Sequence, residues 1–397
     1  MTNPISLAVK LRPTAEKIVK QGHPWIFSES IEKINKAGKA GDLAVLFDQR
    51  NNKVFGIGLY DPDSPIRIKM IHLGGPTKID EDFFQKKISE AYQIRKPLLE
   101  TDTNAYRLIF GENDGLPGLI VDIYNKVGVV KLYSSIWLPY LKMLISAIAE
   151  ISKVESLVLR LSRNLHKMNI PVREGDVLFG NFDNPKVDFM EYGVHFQADL
   201  LLGHKTGFFL DHRANRHKTG QLAKDKTVLD VFSYAGGFSV HALVGGAKEV
   251  TSLDFSKQAL DLAEQNAKLN EHSGNHLTLA GDAFVLLKEL VKKKKQYDIV
   301  IIDPPSFAKS KKETEVAKKK YAELAALGIQ LTKKRGMLLL ASCSSRISAD
   351  EFLEVHREEF DRLGVPYQLE DFTQHDIDHP VGFEEGAYLK TGYYRIS

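Results

Sequence analysis

Cysteine is almost absent from this chain. Cys343 is the only one in 397 residues. That excludes an internal disulfide framework and a thiolate-rich zinc site. Long apolar runs are also lacking. The longest, such as Met337–Ala341 and Ile299–Ile302, fall far short of the roughly 18 residues a membrane span needs. No basic-then-apolar-then-small pattern opens the chain, so no secretory signal is expected and the setting reads as cytoplasmic. Charge of one sign is scarce: the net charge is only +3. No internal repeat or low-complexity tract stands out. Neither a GxxxxGK[ST] phosphate loop nor a GxGxxG dinucleotide fingerprint is present. His204, His212 and His217 are too irregularly placed, with no acidic or thiol partner, to suggest a metal site.

What is present is the composition of a soluble globular protein, 43% hydrophobic and 26% charged. The length implies more than one core. Three domains are expected, with boundaries at 1–74, 75–187 and 188–397. In the first, Leu43–Phe47, Val54–Tyr60 and Ile66–Ile71 read as strands. These 74 residues carry 11 Lys/Arg against 7 Asp/Glu, a mildly basic balance compatible with a polyanion partner. The second reads as a small α+β unit. A helix over 80–96 ends at Pro97, strands follow at Arg107–Phe110, Leu119–Tyr124 and Val127–Tyr133, then a helix over Trp137–Ile151 and a strand over Ser156–Leu161.

From about residue 225, strands and helices alternate: strands at Thr227–Phe232, Glu249–Asp254, Leu277–Ala280, Tyr297–Asp303 and Gly336–Ser342, with helices between them, the last over Val316–Lys333. Such alternation indicates an α/β, doubly wound parallel sheet, and ligands of such sheets sit at the carboxyl ends of the strands. Those ends carry an unusual set of residues. The first runs through Asp230 and Phe232 into a turn with Gly236; Phe232 and Tyr234 occupy places where a pyrophosphate loop would have glycine. The second ends at Asp254, placed to bond ribose hydroxyls or to begin a helix. The third ends at Gly281-Asp282, where the acid could accept from an adenine amino group or cap a helix. The fourth ends at Asp303-Pro304-Pro305-Ser306-Phe307, a stiff acidic and aromatic corner suited to holding a flat base. The fifth ends at Cys343. Ribose and adenine contacts without a phosphate grip point to S-adenosyl-L-methionine. Lys292–Lys295 and Lys309–Lys312 with Lys318–Lys320 are basic runs that can be solvated faces; the second directly follows the Asp303 corner and could track RNA phosphates.

These residues resemble the bacterial large-subunit ribosomal RNA cytosine carbon-5 methyltransferases of the RlmI type, over nearly the whole chain. Gly22-His-Pro-Trp-Ile-Phe27 is similar to the opening of that family's RNA-binding PUA domain, which implies a small β-barrel at the front and a Rossmann-like methyltransferase sheet behind it. Phe110–Leu119 is similar to its linking domain. Lys205–Arg213, the Asp303 corner and Cys343 are similar to its methyltransferase part. The resemblance implies that Phe232 and Gly236 border the cofactor's methionine end, Asp254 holds the ribose, Asp282 the adenine edge, and the segment with Asp211 and Arg213 closes over the cofactor. It implies that Asp303 faces the substrate base, with Pro304 and Phe307 beside it. The implied partner is large-subunit ribosomal RNA; a homodimer is compatible.

Carbon 5 of cytosine is a poor nucleophile. A Cys343 thiolate adding to carbon 6 would make it enamine-like; methyl transfer and loss of the carbon-5 proton would then expel the thiolate. Asp303 would donate to the ring, which calls for a carboxyl kept protonated by burial. Without Cys343, the same corner would suit methylation of an exocyclic amine, or a non-catalytic RNA-binding factor. One departure from related RNA cytosine methyltransferases is plain: Ser306 stands where they carry a second, product-releasing cysteine. The proton acceptor is left open among Ser306, Asp303 and water.

Overall fold

The computed structural model describes residues 3–308 and 310–397, so Lys309 of the second basic run lies outside the described residues. The chain forms two compact units. One comprises Met1–Phe189, Ala198–Leu210 and Ile377–Gly386; the other comprises Met190–Gln197, Asp211–Asp376 and Ala387–Ser397. Among the described residues no helix is long and apolar enough to cross a membrane.

The first unit holds two sheets. In the six-stranded one the order is Trp25–Phe27, Ile66–Leu73, Val54–Tyr60, Leu43–Phe47, Ser6–Leu11, Ile31–Ile34. Alternation drives it: along Ser6–Leu11, Leu7, Val9 and Leu11 point inward to meet Ala44, Leu46, Ile68 and Met70. Ser6–Leu11 and the helix Pro13–Lys20, which has proline at its start, were not read from sequence. The five-stranded sheet has the order Val177–Gly180, Ser156–Leu161, Val127–Leu132, Leu119–Tyr124, Ala105–Phe110.

Two expected helices differ in detail. The helix expected to stop before Pro97 runs over Glu81–Leu99 with the proline inside its last turn. The proline forgoes one i→i−4 hydrogen bond there, while Leu98 gains a buried position. The helix expected from Trp137 starts as a 3-10 turn over Ser135–Tyr140, which contains Pro139, and becomes α-helical over Leu141–Ser152. Two buried arginines in this unit are paired. Arg107 grips Asp122 with two bonds of 2.7 and 2.8 Å, and Arg95 grips Asp114 likewise at 2.8 and 2.7 Å.

The second unit is built on a seven-stranded sheet. Its order is Asn275–Ala280, Glu249–Asp254, Thr227–Val231, Tyr297–Ile302, Thr332–Ser342, Lys390–Ile396, Tyr367–Thr373. The first five strands are mutually parallel, as their apolar runs and intervening helices require. The expectation of a parallel sheet is corrected at its far edge, where Lys390–Ile396 inserts antiparallel to both neighbours. The helix expected over Val316–Lys333 stops at Leu331, and the chain from Thr332 belongs to the following strand. β-Branched Thr332, buried with Met337 and Leu338, is better satisfied in the sheet.

Candidate active site

The Thr227–Val231 strand leads into a loop whose backbone is strained. Phe232 and Tyr234 take the left-handed φ values of 65° and 47°, rare for bulky residues and typical of functional turns. Gly236 shares that region at φ 76°, and a Cβ there would lie 2.7 Å from the Ala263 Cβ. The turn therefore needs glycine twice over. Ser233 Oγ is buried in this loop with no hydrogen-bond partner.

Asp254 holds the loop in shape. Its Oδ2 accepts from Tyr234 N at 2.9 Å and its Oδ1 from Ser256 N at 2.8 Å. It is not the helix cap, because Ser256 takes that place, accepting from Ala259 N. Asp282 is a cap: its Oδ1 accepts from Val285 N at 3.1 Å, while the residue stays exposed. Asp230, buried on the Thr227–Val231 strand, accepts from Ser239 N at 3.0 Å and Ser239 Oγ at 2.6 Å. Burial pushes its carboxyl up to about 7 against those bonds, and the charges of Asp303 and Asp254 push the same way.

The Lys205–Arg213 segment delivers three polar residues to the second unit. Asp211 Oδ2 accepts from Tyr388 Oη at 2.8 Å. Arg213 is fully buried, 2.9 Å from Asp376 and 3.9 Å from Glu191. Its guanidinium thus anchors the start of the Arg213–Leu222 helix to internal carboxylates. Between them, His212 Nε2 lies 3.3 Å from Asp303 Oδ1, at ion-pair distance but short of an aligned hydrogen bond. This corrects the sequence reading, which left His212 without an acidic partner. Burial works against charge on this imidazole, but the Asp303 carboxylate outweighs it, and the net shift is upward. Asn215 Nδ2 sits 3.1 Å from His212 Nδ1, and its amide is held by Thr373, Tyr393 and Thr391.

The Asp303 corner follows the Tyr297–Ile302 strand. The acid was expected to be buried; its side chain is 25% exposed, with the His212 imidazole 3.3 Å away. Pro304 is buried, and its carbonyl oxygen lies 3.9 Å from Cys343 Sγ. Phe307 is half-buried against Tyr321 (centroids 5.3 Å apart) and Phe284, with the Lys320 ammonium 4.9 Å from its ring. Tyr321 in turn shares a 2.9 Å hydrogen bond with Ser342, the residue before the cysteine.

Cys343 is partly exposed, just past the Thr332–Ser342 strand. The turn after it is tied to Lys390, whose ammonium donates to Ser344 O at 2.6 Å and Ile347 O at 2.7 Å. Burial lowers this lysine to about 8 despite the Cys343 and Glu351 charges. The fold thus brings Asp211, His212, Asp303, Pro304, Phe307 and Cys343 to the ends of adjoining strands, and Phe232, Gly236 and Asp254 to the next loop. His212 was weighed from sequence only as a metal ligand, although it lay inside the Lys205–Arg213 motif; nothing in sequence marked Lys390 or Tyr388.

Residues 165–387 match the family model of S-adenosylmethionine-dependent methyltransferases, and residues 9–72 that of PUA-like domains. A ribosomal RNA large subunit methyltransferase of Deinococcus radiodurans is 39% identical over 408 positions, covering all of both chains. A ribosomal RNA large subunit methyltransferase I of Alteromonas mediterranea is 34% identical, over 97% of this chain and 98% of its own. The solved structure of the methyltransferase SMU.776 complexed with SAH has a TM-score of 0.82 at 25% identity, covering 98% of this chain and 100% of that one.

Proposed function

Since the chain belongs to the S-adenosylmethionine-dependent methyltransferases, and within them to the ribosomal RNA large subunit methyltransferases, we propose that it methylates carbon 5 of a cytosine in large-subunit ribosomal RNA through a Cys343 adduct. The observation that carries this reading is the position of the chain's one thiol. It lies beside the Asp303-Pro304 corner, with Sγ 3.9 Å from Pro304 O, at the ligand edge of the sheet. A core cysteine would sit inside the strand.

The residues present fit the cofactor. The buried Ser233 hydroxyl without a partner, in a strained loop, suits the polar methionine end. Asp254 keeps lone pairs beyond its two backbone bonds for ribose hydroxyls. Asp282 keeps one oxygen for the adenine edge. Phe232 and Gly236 shape the wall beside them. Asp211 and Arg213 act by fixing the segment around His212. Bound S-adenosylmethionine supplies an electrophilic methyl group.

Cys343 adds its thiolate to carbon 6 of the cytosine, and the His212–Asp303 pair holds the proton that answers the charge developing on the ring. After methylation the carbon-5 proton leaves to a base and the carbon 6–sulfur bond breaks, returning the thiolate. His212 joins Ser306, Asp303 and water among the candidate acceptors. Pro304 and Phe307 keep the corner rigid. We read the domain limits as 1–74, 75–187 and 188–397, the compartment as cytoplasm, and a second copy of the chain as the other partner to test by sedimentation.

The test is nucleoside analysis of large-subunit ribosomal RNA from a deletion strain complemented with wild type or Cys343→Ala. Loss of one 5-methylcytidine, restored by wild type only, is expected. Loss of a methylated purine, or full rescue by Cys343→Ala, overturns the reading.

A further inference from the structure

The first unit contains a cavity of about 490 Å³, bounded by the Ile66 end of the six-stranded sheet and by one face of the five-stranded sheet. The volume is that of a small-molecule site. Its floor is internally neutral. Arg107 is committed to Asp122, and Lys69 to Asp61 at 2.6 Å. The rim differs. Tyr133 is 51% exposed, a large aromatic face left towards water at the mouth of a cavity. Lys131, on the adjoining strand, holds its ammonium 5.8 Å from that ring's centre and donates to Lys205 O at 2.9 Å. Lys205 and Asn164 line the same cavity.

From these observations we propose that the cavity binds one nucleotide of a single-stranded RNA, the base stacking on Tyr133 and the phosphate facing Lys131 and Lys205. Stacking on an exposed aromatic beside lysines is how proteins hold unpaired RNA irrespective of sequence. Asp63 and Glu112 also line the cavity. Burial depresses the Lys131 ammonium, with Arg160 and Lys205 adding to that and Glu174 and Asp122 opposing it. An anion beside Lys131 and Lys205 relieves the repulsion between those two. Asn164 offers both a donor and an acceptor to a base edge.

The inference rests on the reading that the substrate is RNA, and it adds a second contact carried by a unit that lacks Cys343. It is tested with the full chain and a fluorescein-labelled single-stranded RNA decamer, followed by anisotropy across a salt series. Lys131→Gln and Tyr133→Ala are each expected to weaken binding about tenfold. Lys131→Gln is expected also to flatten the slope of log affinity against log salt by about 0.7, the signature of one phosphate contact. Ultraviolet cross-linking is expected to attach RNA to the peptide bearing Tyr133. Calorimetric affinity for S-adenosylhomocysteine should be unchanged in both variants, which shows that they are folded. Variants that bind the decamer as wild type does overturn the proposal and leave the RNA substrate standing. A wild-type chain that binds no RNA overturns both. Cytidine monophosphate binding as tightly as the decamer overturns it too, in favour of a free nucleotide.

Discussion

Lys390 and Ser344 are joined across the sheet: the lysine ammonium donates to the carbonyl of the residue after Cys343, at 2.6 Å. The lysine comes from the antiparallel strand, where it pairs in register with Ser342. One cation therefore shapes the turn that presents the thiol and adds a positive charge near it. Positive charge favours thiolate over thiol. The lysine itself, lowered to about 8 mainly by burial, loses that charge as pH rises past this value. In Lys390→Met the alkylation of Cys343 by iodoacetamide at pH 7 is expected to slow about tenfold, with the rate–pH curve moved to higher pH. Cys343 is the chain's single cysteine, so the measurement reports on it alone. An unmoved curve would leave the lysine a purely structural clamp.

The His212–Asp303 pair makes a prediction about the basic limb of activity. The imidazole's folded value lies above the ordinary 6.5, so the stability it contributes is fully present below pH 6.5 and is lost as pH rises through the raised value. A step that needs the protonated pair falls in the same window. His212→Gln is expected to reduce kcat about 100-fold, within the range of general acid–base catalysis. It should also remove that limb from the pH profile while leaving cofactor affinity near wild type. A profile of unchanged shape would rule the imidazole out as the titrating group.

Asp254 is both wall and splint. Asp254→Ala deprives Tyr234 N and Ser256 N of their acceptor, and hydrogen bonds to a charged group contribute about 1.5–3 kcal/mol. Calorimetry with S-adenosylhomocysteine should show at least a tenfold weaker Kd. Asp254→Asn keeps one acceptor and is expected to fall between. Equal affinities for all three proteins would remove Asp254 from the cofactor site.

Asp230 carries a testable cost. Its folded value of about 7 exceeds the ordinary 3.8. Its relative contribution to stability is therefore full below about pH 4 and lost as pH climbs to 7, because a buried carboxylate must then be charged. Asp230→Asn retains an acceptor for Ser239. Its Tm is expected to exceed that of wild type by a few degrees at pH 8 and to match it near pH 4, in scanning calorimetry. A Tm gain of the same size at both values would assign the effect to packing.

Much of the second unit was legible because its signals are local. Tyr297–Ile302 and the Met337–Ala341 part of Thr332–Ser342 are short apolar runs between helical periods, and runs of that length between helices fit buried parallel strands. The Ser256 cap and the glycine at 236 carry their backbone preferences within a few residues. Lys390–Ile396 was missed for the opposite reason. Its Lys-Thr-Gly-Tyr-Tyr opening has no decisive alternation, and it becomes a strand only by pairing with Thr332–Ser342. The end of the Thr314–Leu331 helix was misplaced because the sheet claims Thr332 and Lys333, against a helical period that would have continued.

The opening scarcity of cysteine marks the division. From the sequence alone, a single thiol just past an apolar strand was placed at the ligand edge, and the acids at 254, 282 and 303 were placed beside it, because strand order and chain polarity put every such residue at a carboxyl end. What stands against each group was decided by the tertiary structure. Asp303 meets His212 rather than a dry pocket, Arg213 faces Asp376 and Glu191, and the cysteine turn hangs on Lys390. Those partners come from segments far apart in the chain, and charge interacts through space, so no local pattern could have named them.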